Sequence, residues 1–182
     1  DGIRLYKSDY VEIKNNTISN NSGYGIFAND NNYGLIIESN IISDNSSDGI
    51  DFESNNRDYI CTKNMISNNQ HGIYSEYSHG DIIGNLLIGN NIGIKIHMQQ
   101  YGDSFIKNNT IYNNLYEGLR WSSSDANNYT LVAENNSISD NNNRENSENV
   151  IKNGENSENV IIKSENVVSS SDTINENLGH NN

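Results

Sequence analysis

Proline is absent from this chain of 182 residues, cysteine occurs once, and hydrophobic residues make up only 33%. Each shortage excludes something. A single cysteine, Cys61, forbids an internal disulfide and any Cys-rich metal site. No apolar run is longer than three residues, so no transmembrane helix is expected. Basic residues are scarce as well: 11 Lys and Arg face 24 Asp and Glu, for a net charge of −13. Such a chain cannot neutralise phosphates, which argues against nucleic acid as a partner, and anionic membranes would repel it. No nucleotide-binding loop, zinc pattern or nucleophile elbow occurs. There is no signal peptide either. The chain opens at Asp1-Gly2-Ile3, already inside a repeat, so a mature product or an excised fragment is expected.

Asparagine is what the chain has in abundance, at 38 residues. Low hydrophobicity combined with high net charge usually means disorder. Regular spacing of the apolar residues argues otherwise. Two anchors alternate along the chain. One is Gly followed by Ile or Leu, beginning at Gly2, Gly25, Gly49, Gly72, Gly93 and Gly118. The other is Asn-x-(Ile/Leu), beginning at Asn16, Asn40, Asn64, Asn85, Asn109 and Asn136, with a further Asn five residues on. A repeat of roughly 24 residues follows, which is the signature of a solenoid.

Strand side chains alternate between faces. Counting from each Gly, position +1 reads Ile3, Ile26, Ile50, Ile73, Ile94 and Leu119, and position +3 reads Leu5, Ala28, Phe52, Ser75, Ile96 and Trp121. Both columns are mostly apolar and should point inward. Three residues before the second anchor stand Ile13, Ile37, Cys61, Ile82, Ile106 and Ala133, which makes Cys61 a small buried hydrophobe. The expected fold is therefore all-β: a right-handed, single-stranded parallel β-helix of about six coils of 21–27 residues, since parallel crossovers are right-handed. Asn at the second anchor should form an amide ladder at a turn and take up the left-handed backbone that turns require. Residues 1–142 form the helix. Residues 143–182 carry Glu-Asn-Ser-Glu-Asn-Val-Ile twice and read either as irregular extra coils, acting as a cap, or as a flexible acidic tail. Trp121 and this tail are the candidates for capping the C-terminal end.

The Gly-Ile and Asn-x-Ile pattern resembles the right-handed parallel β-helix repeat family. That family includes pectate lyases, alginate lyases, mannuronan C5-epimerases, phage tailspikes and adhesin-like surface proteins. The Asn-Asn-Thr-Ile and Ser-Asn-Asn phrases are most similar to the surface proteins. The epimerases carry a Tyr-Gly-aromatic-Asp-Pro-His signature; the local match, Tyr24-Gly25-Ile26-Phe27-Ala28-Asn29, has Phe27 and Asn29 in place of both catalytic residues. The resemblance thus implies the fold, with a location outside the cell or at its surface, and a polysaccharide or surface glycan as partner.

The outward face of the Gly-anchored sheet carries the candidate chemistry. Its +2/+4 pairs run Arg4/Tyr6, Phe27/Asn29, Asp51/Glu53, Tyr74/Glu76, Lys95/His97 and Arg120/Ser122. Asp51, Glu53 and Glu76 should form a carboxylate cluster able to hold calcium through oxygen ligands. Lys95 or His97 could abstract a proton beside a uronate carboxylate, with Arg120 binding the anionic sugar. Tyr6, Phe27, Tyr74 and Arg120 are the expected carbohydrate contacts. Against this stands a plain solvated face with weak surface ion pairs. His71 and His79 are expected in loops. Sequons begin at Asn15, Asn20, Asn45, Asn108, Asn128 and Asn135, as composition alone would produce. Three readings follow: a non-catalytic extracellular module presenting or binding glycans, a uronate lyase or C5-epimerase, or a structural stalk.

Overall fold

The computed structural model describes residues 1–98, 102–123, 130–141, 151–152 and 160–163. These residues form a parallel β-solenoid with three faces and no helix among them. Sheet 1 stacks Ile3–Tyr6, Ile26–Asn29, Ile50–Glu53, His71–Glu76, Ile92–Met98, Glu117–Ser123 and Ile151–Lys152. Sheet 2 stacks Glu12–Lys14, Ile36–Glu38, Arg57–Thr62, His79–Ile83, Ser104–Lys107, Leu131–Glu134 and Val160–Lys163. Sheet 3 has six strands of three residues each, from Thr17–Ser19 to Ser137–Ser139. About five turns separate the first strand triplet from the sixth. Ile151–Lys152 and Val160–Lys163 continue sheets 1 and 2, while the rest of the expected tail lies outside the described residues.

The expected columns are the core. Ile26, Ile50, Ile73, Ile94 and Leu119 are all fully buried in register on sheet 1. The column of Ile37, Cys61, Ile82 and Ile106 belongs to sheet 2, and Ile42, Ile66, Leu87 and Ile111 belong to sheet 3. The Asn anchor therefore sits at the corner between two sheets. Burying one isoleucine contributes about 1.5–3 kcal/mol, so a chain with few apolar residues folds by lining its inward columns with aliphatics, while others such as Ile41 and Ile60 stay outside. Trp121 is buried in the +3 column rather than lying across the end as a cap. His71 and His79 each begin a strand, contrary to the loop placement expected, because His71 pairs with Ile92 ahead of Gly72 and a β-bulge precedes Gly80.

Two asparagine ladders run the length of the corners. In the first, Asn16, Asn40, Asn64, Asn85 and Asn109 each donate backbone N–H and side-chain Nδ2 to the Oδ1 of the next, ending at Asn136. Nδ2 also donates back to a carbonyl of the preceding coil, as from Asn64 to Ile37 O at 2.9 Å. The second ladder links Asn21, Asn45, Asn69, Asn90, Asn114 and Asn141 in the same way. A third, shorter one joins Asn32 to Asn56 and Asn56 to Ser78 where sheet 1 turns into sheet 2. Contrary to expectation, the ladder asparagines are not the left-handed residues. The residue before each one is: Asn15, Ser39, Lys63, Gly84, Asn108 and Asn135 in the first ladder all have φ between 54° and 66°. Four of the sequon asparagines, Asn15, Asn20, Asn108 and Asn135, take that exposed turn position, whereas Asn45 is locked in a ladder.

The Gly anchors serve close approach rather than unusual φ. A Cβ on Gly72 would lie 2.6 Å from the Gly93 carbonyl oxygen and 2.7 Å from Leu87 Cδ2. Sheet 3 can therefore turn onto sheet 1 only where no side chain intervenes.

Two outcomes test this register. Ile42 is fully buried and its neighbour Ile41 is 49% exposed. Ile42→Asp is expected to cost on the order of 4 kcal/mol or more and unfold the domain, with Ile41→Asp within about 1 kcal/mol of the parent in urea denaturation. Asn64→Ala leaves the Asn40 backbone N–H unpartnered and removes a bond from Asn40 Nδ2 and from the Ile37 carbonyl, so a loss of about 3 kcal/mol is expected. Asn16→Ala, at an exposed rung, should cost less than half of that.

Candidate functional site

Sheet 1 presents three columns of side chains outward, not two. The +2 column runs Arg4, Phe27, Asp51, Tyr74, Lys95, Arg120, and the +4 column Tyr6, Asn29, Glu53, Glu76, His97, Ser122, both in strict register. The third column comes from the residue before each Gly. The bare Gly at the corner interrupts alternation, and the preceding side chain folds onto the outer face. The Tyr24 ring stacks on Phe27 with centroids 4.5 Å apart, His71 lies 5.4 Å from the Tyr74 ring, and Glu117 Oε1 meets Arg120 Nη2 at 2.5 Å.

This third column buries groups that period-two alternation leaves exposed. Phe27, an expected sugar platform, is 6% exposed beneath Tyr24 and the Arg4 guanidinium, so a ligand would meet Tyr24 first. Asp51 is 4% exposed and its Oδ1 has no protein partner. Burial, reinforced by the charges of Asp48, Glu53 and Glu76 and opposed by Lys95, pushes the Asp51 carboxyl up to about 8. Burial likewise raises the Tyr24 and Tyr74 phenols, and the Glu76 charge adds to the rise at Tyr74.

Asp51, Glu53 and Glu76 do lie on adjacent rungs, as expected. They do not form the expected calcium cage: no three His, Cys, Asp or Glu side chains among the described residues converge to hold a metal. Asp51 is turned into the protein, away from solvent.

The basic half is divided by its own contacts. Lys95 Nζ sits 4.5 Å above the Tyr74 ring centroid, and His97 Nδ1 is 2.8 Å from Ser122 Oγ with the Tyr77 ring edge-on at 5.3 Å. Arg120 is held by Glu117, so its guanidinium is only partly available to an anionic sugar. Tyr6 is 57% exposed, with Lys7 over its ring, and remains open to a ligand.

Sequence reasoning missed one pair. Asp48 Oδ1 accepts the His71 backbone N–H at 2.9 Å and lies 2.8 Å from His71 Nδ1, within ion-pair distance yet out of hydrogen-bond alignment. Both residues immediately precede a Gly anchor, which was the available signal. Five buried side-chain atoms among the described residues make no hydrogen bond within the protein, and three of them, Asp51 Oδ1, His71 Nδ1 and Glu117 Oε2, belong to this outer face. Buried polar atoms are nearly always satisfied, so their concentration on one sheet marks it as the candidate site.

The Asp51 proton makes stability pH-dependent. Between the ordinary value of 3.8 and about 8 the folded chain holds a proton that the unfolded chain releases. Its contribution is complete below the lower value and lost as pH rises through the upper one. The unfolding free energy of the parent should therefore fall from about pH 5 to about pH 9 by a few kcal/mol more than that of Asp51→Asn, since one pKa unit corresponds to about 1.4 kcal/mol. Equal pH profiles would show that Asp51 is ionised throughout.

Comparison with known proteins agrees with this architecture. Residues 1–100 match the family model described as the right handed beta helix region. The crystal structure of the periplasmic alginate epimerase AlgG is similar with a TM-score of 0.65 at 20% sequence identity, over 90% of this chain and 46% of that one. A double mutant of the same protein is similar with a TM-score of 0.60 at 20% identity, over 90% of this chain and 47% of its own. This chain thus spans less than half the length of those structures, and at that identity the likeness is one of fold. No curated protein matches the sequence significantly. With the family model covering more than half of its residues, the chain belongs to the right-handed β-helix family.

Proposed function

We propose that this β-helix is an extracellular polysaccharide-binding module whose ligand lies along the outer face of sheet 1. The observation that carries the reading is the concentration of unpartnered buried polar atoms there, beside tyrosines that offer ring faces. Sugars are recognised by such a mixture, because hydroxyls satisfy buried donors and acceptors while C–H faces cover aromatic rings. The face also grades from acidic, at Asp48, Asp51, Glu53 and Glu76, to basic, at Lys95, His97 and Arg120. An acidic polysaccharide would place its carboxylates at the basic end. The similar fold of the periplasmic alginate epimerase AlgG supports a glycan partner outside the cytoplasm.

A second reading, a uronate lyase or C5-epimerase, is favoured by one observation. Asp51 keeps its proton near neutral pH one rung from Tyr74 and two from Lys95. A proton donor and a proton acceptor on one face are what proton abstraction beside a carboxyl group requires.

Alginate and polygalacturonate gels decide between them. A binding module is expected to be retained on one of the gels, to lose retention in Tyr74→Ala and Lys95→Ala, and to leave the polymer chemically unchanged. A lyase would raise ultraviolet absorbance through unsaturated products, and an epimerase would alter the sugar ratio by NMR. Neither retention nor alteration would leave only the structural stalk.

A further inference from the structure

Sheet 2 carries a concavity of its own, of about 390 Å³, lined among others by Asp58, Ile60, His79, Asp81, Gly102 and Phe105. Its shape has a local cause. The register between the Arg57–Thr62 and His79–Ile83 strands shifts at His79/Gly80, and Asp58 takes up the irregularity with φ of 53°. Two glycines then keep side chains out of the space. A Cβ on Gly80 would collide with the Tyr59 carbonyl and ring, and one on Gly102, at φ 141°, with the His79 imidazole.

The floor of the concavity follows from the ladder. Ile60, Asp81 and Phe105 are register partners on three successive rungs. Asp81 therefore stands on the rung between an isoleucine that is 40% exposed and a phenylalanine whose ring Lys107 Nζ approaches to 4.8 Å from the centroid. Burial raises the Asp81 carboxyl and lowers the His79 imidazole from their ordinary values. His79 Nε2 lies 3.4 Å from Asp58 Oδ1. A carboxylate between two apolar surfaces gains nothing from folding there unless something hydrogen-bonds to it.

From this arrangement we infer that the sheet 2 concavity is a binding site for an uncharged sugar ring, with its C–H face on Phe105 and Ile60 and its hydroxyls on Asp81 and His79. Charge decides the class of sugar. Asp58, Asp81 and Asp103 line the space and no lysine or arginine does among the described residues; these three carboxylates outnumber the two cations beside it, Arg57 near His79 and Lys107 near Asp81, which disfavours a uronate. Of these, Asp103 already accepts the Thr130 backbone N–H at 2.8 Å, which leaves Asp81 as the main acceptor for a ligand. The inference is independent of the sheet 1 reading, which involves other residues and the opposite ligand charge.

Amide NMR of the full chain, titrated with cellohexaose, mannohexaose and hexagalacturonate, tests it. One of the two uncharged hexasaccharides is expected to shift the Ile60, Asp81 and Phe105 signals at millimolar concentration. Phe105→Ala and Asp81→Asn should each weaken this binding about tenfold or more, a loss of about 1.4 kcal/mol. Lys95→Ala on sheet 1 should leave it intact. Hexagalacturonate should not move these signals. The inference is overturned if neither uncharged sugar shifts them, if Phe105→Ala binds as well as the parent, or if hexagalacturonate shifts them equally.

Discussion

Everything in this fold depends on a buried primary amide finding its counterpart one coil away. Each ladder asparagine bridges three coils: its Oδ1 accepts from the preceding coil, its Nδ2 donates to the following Oδ1, and the same nitrogen reaches back to a carbonyl. A coil that is a residue too long or too short at a corner would leave several buried groups unpartnered, at about 1–3 kcal/mol each. The corner from sheet 2 through sheet 3 is accordingly uniform in length, and insertions collect on the other side, where the third ladder gives out after Ser78.

The glycine column is the counterpart of the amides. Asparagine holds the height of each coil, and the missing Cβ allows one sheet to turn directly onto the next. The same gap lets the residue before each Gly fold outward, which places His71 beside Tyr74 and closes Tyr24 over Phe27. A requirement of packing therefore creates the partly buried surface that carries the candidate chemistry. The raised Asp51 carboxyl is a result of that geometry as much as of its acidic neighbours.

How much of this was legible in the sequence differs by layer. Ile50, Ile73 and Ile94 announce themselves because a repeat makes every inward position a column, and the column average is apolar even where Ser75 stands in it. The first amide ladder was readable for the same reason. Asp51 was not: its burial comes from side chains outside the alternating pattern, which period two assigns to the wrong face. The Asn32–Asn56–Ser78 corner escaped notice because a hydroxyl replaces an amide there and the anchor loses its motif. Calcium binding was expected from carboxylates close in register, but proximity along a sheet does not aim three oxygens at a common point.

The amide ladders also have a direction. Every amide-to-amide link passes a proton donor from one coil to an Oδ1 on the next, so the two ends of each ladder are chemically different. A rung laid before Asn16 would have to offer N–H groups, and one laid after Asn136 would have to offer oxygen. Two such rods meeting tip to tip by a two-fold rotation would bring like groups together, oxygen on oxygen or hydrogen on hydrogen. Along these ladders only a head-to-tail arrangement of two rods would match donors to acceptors.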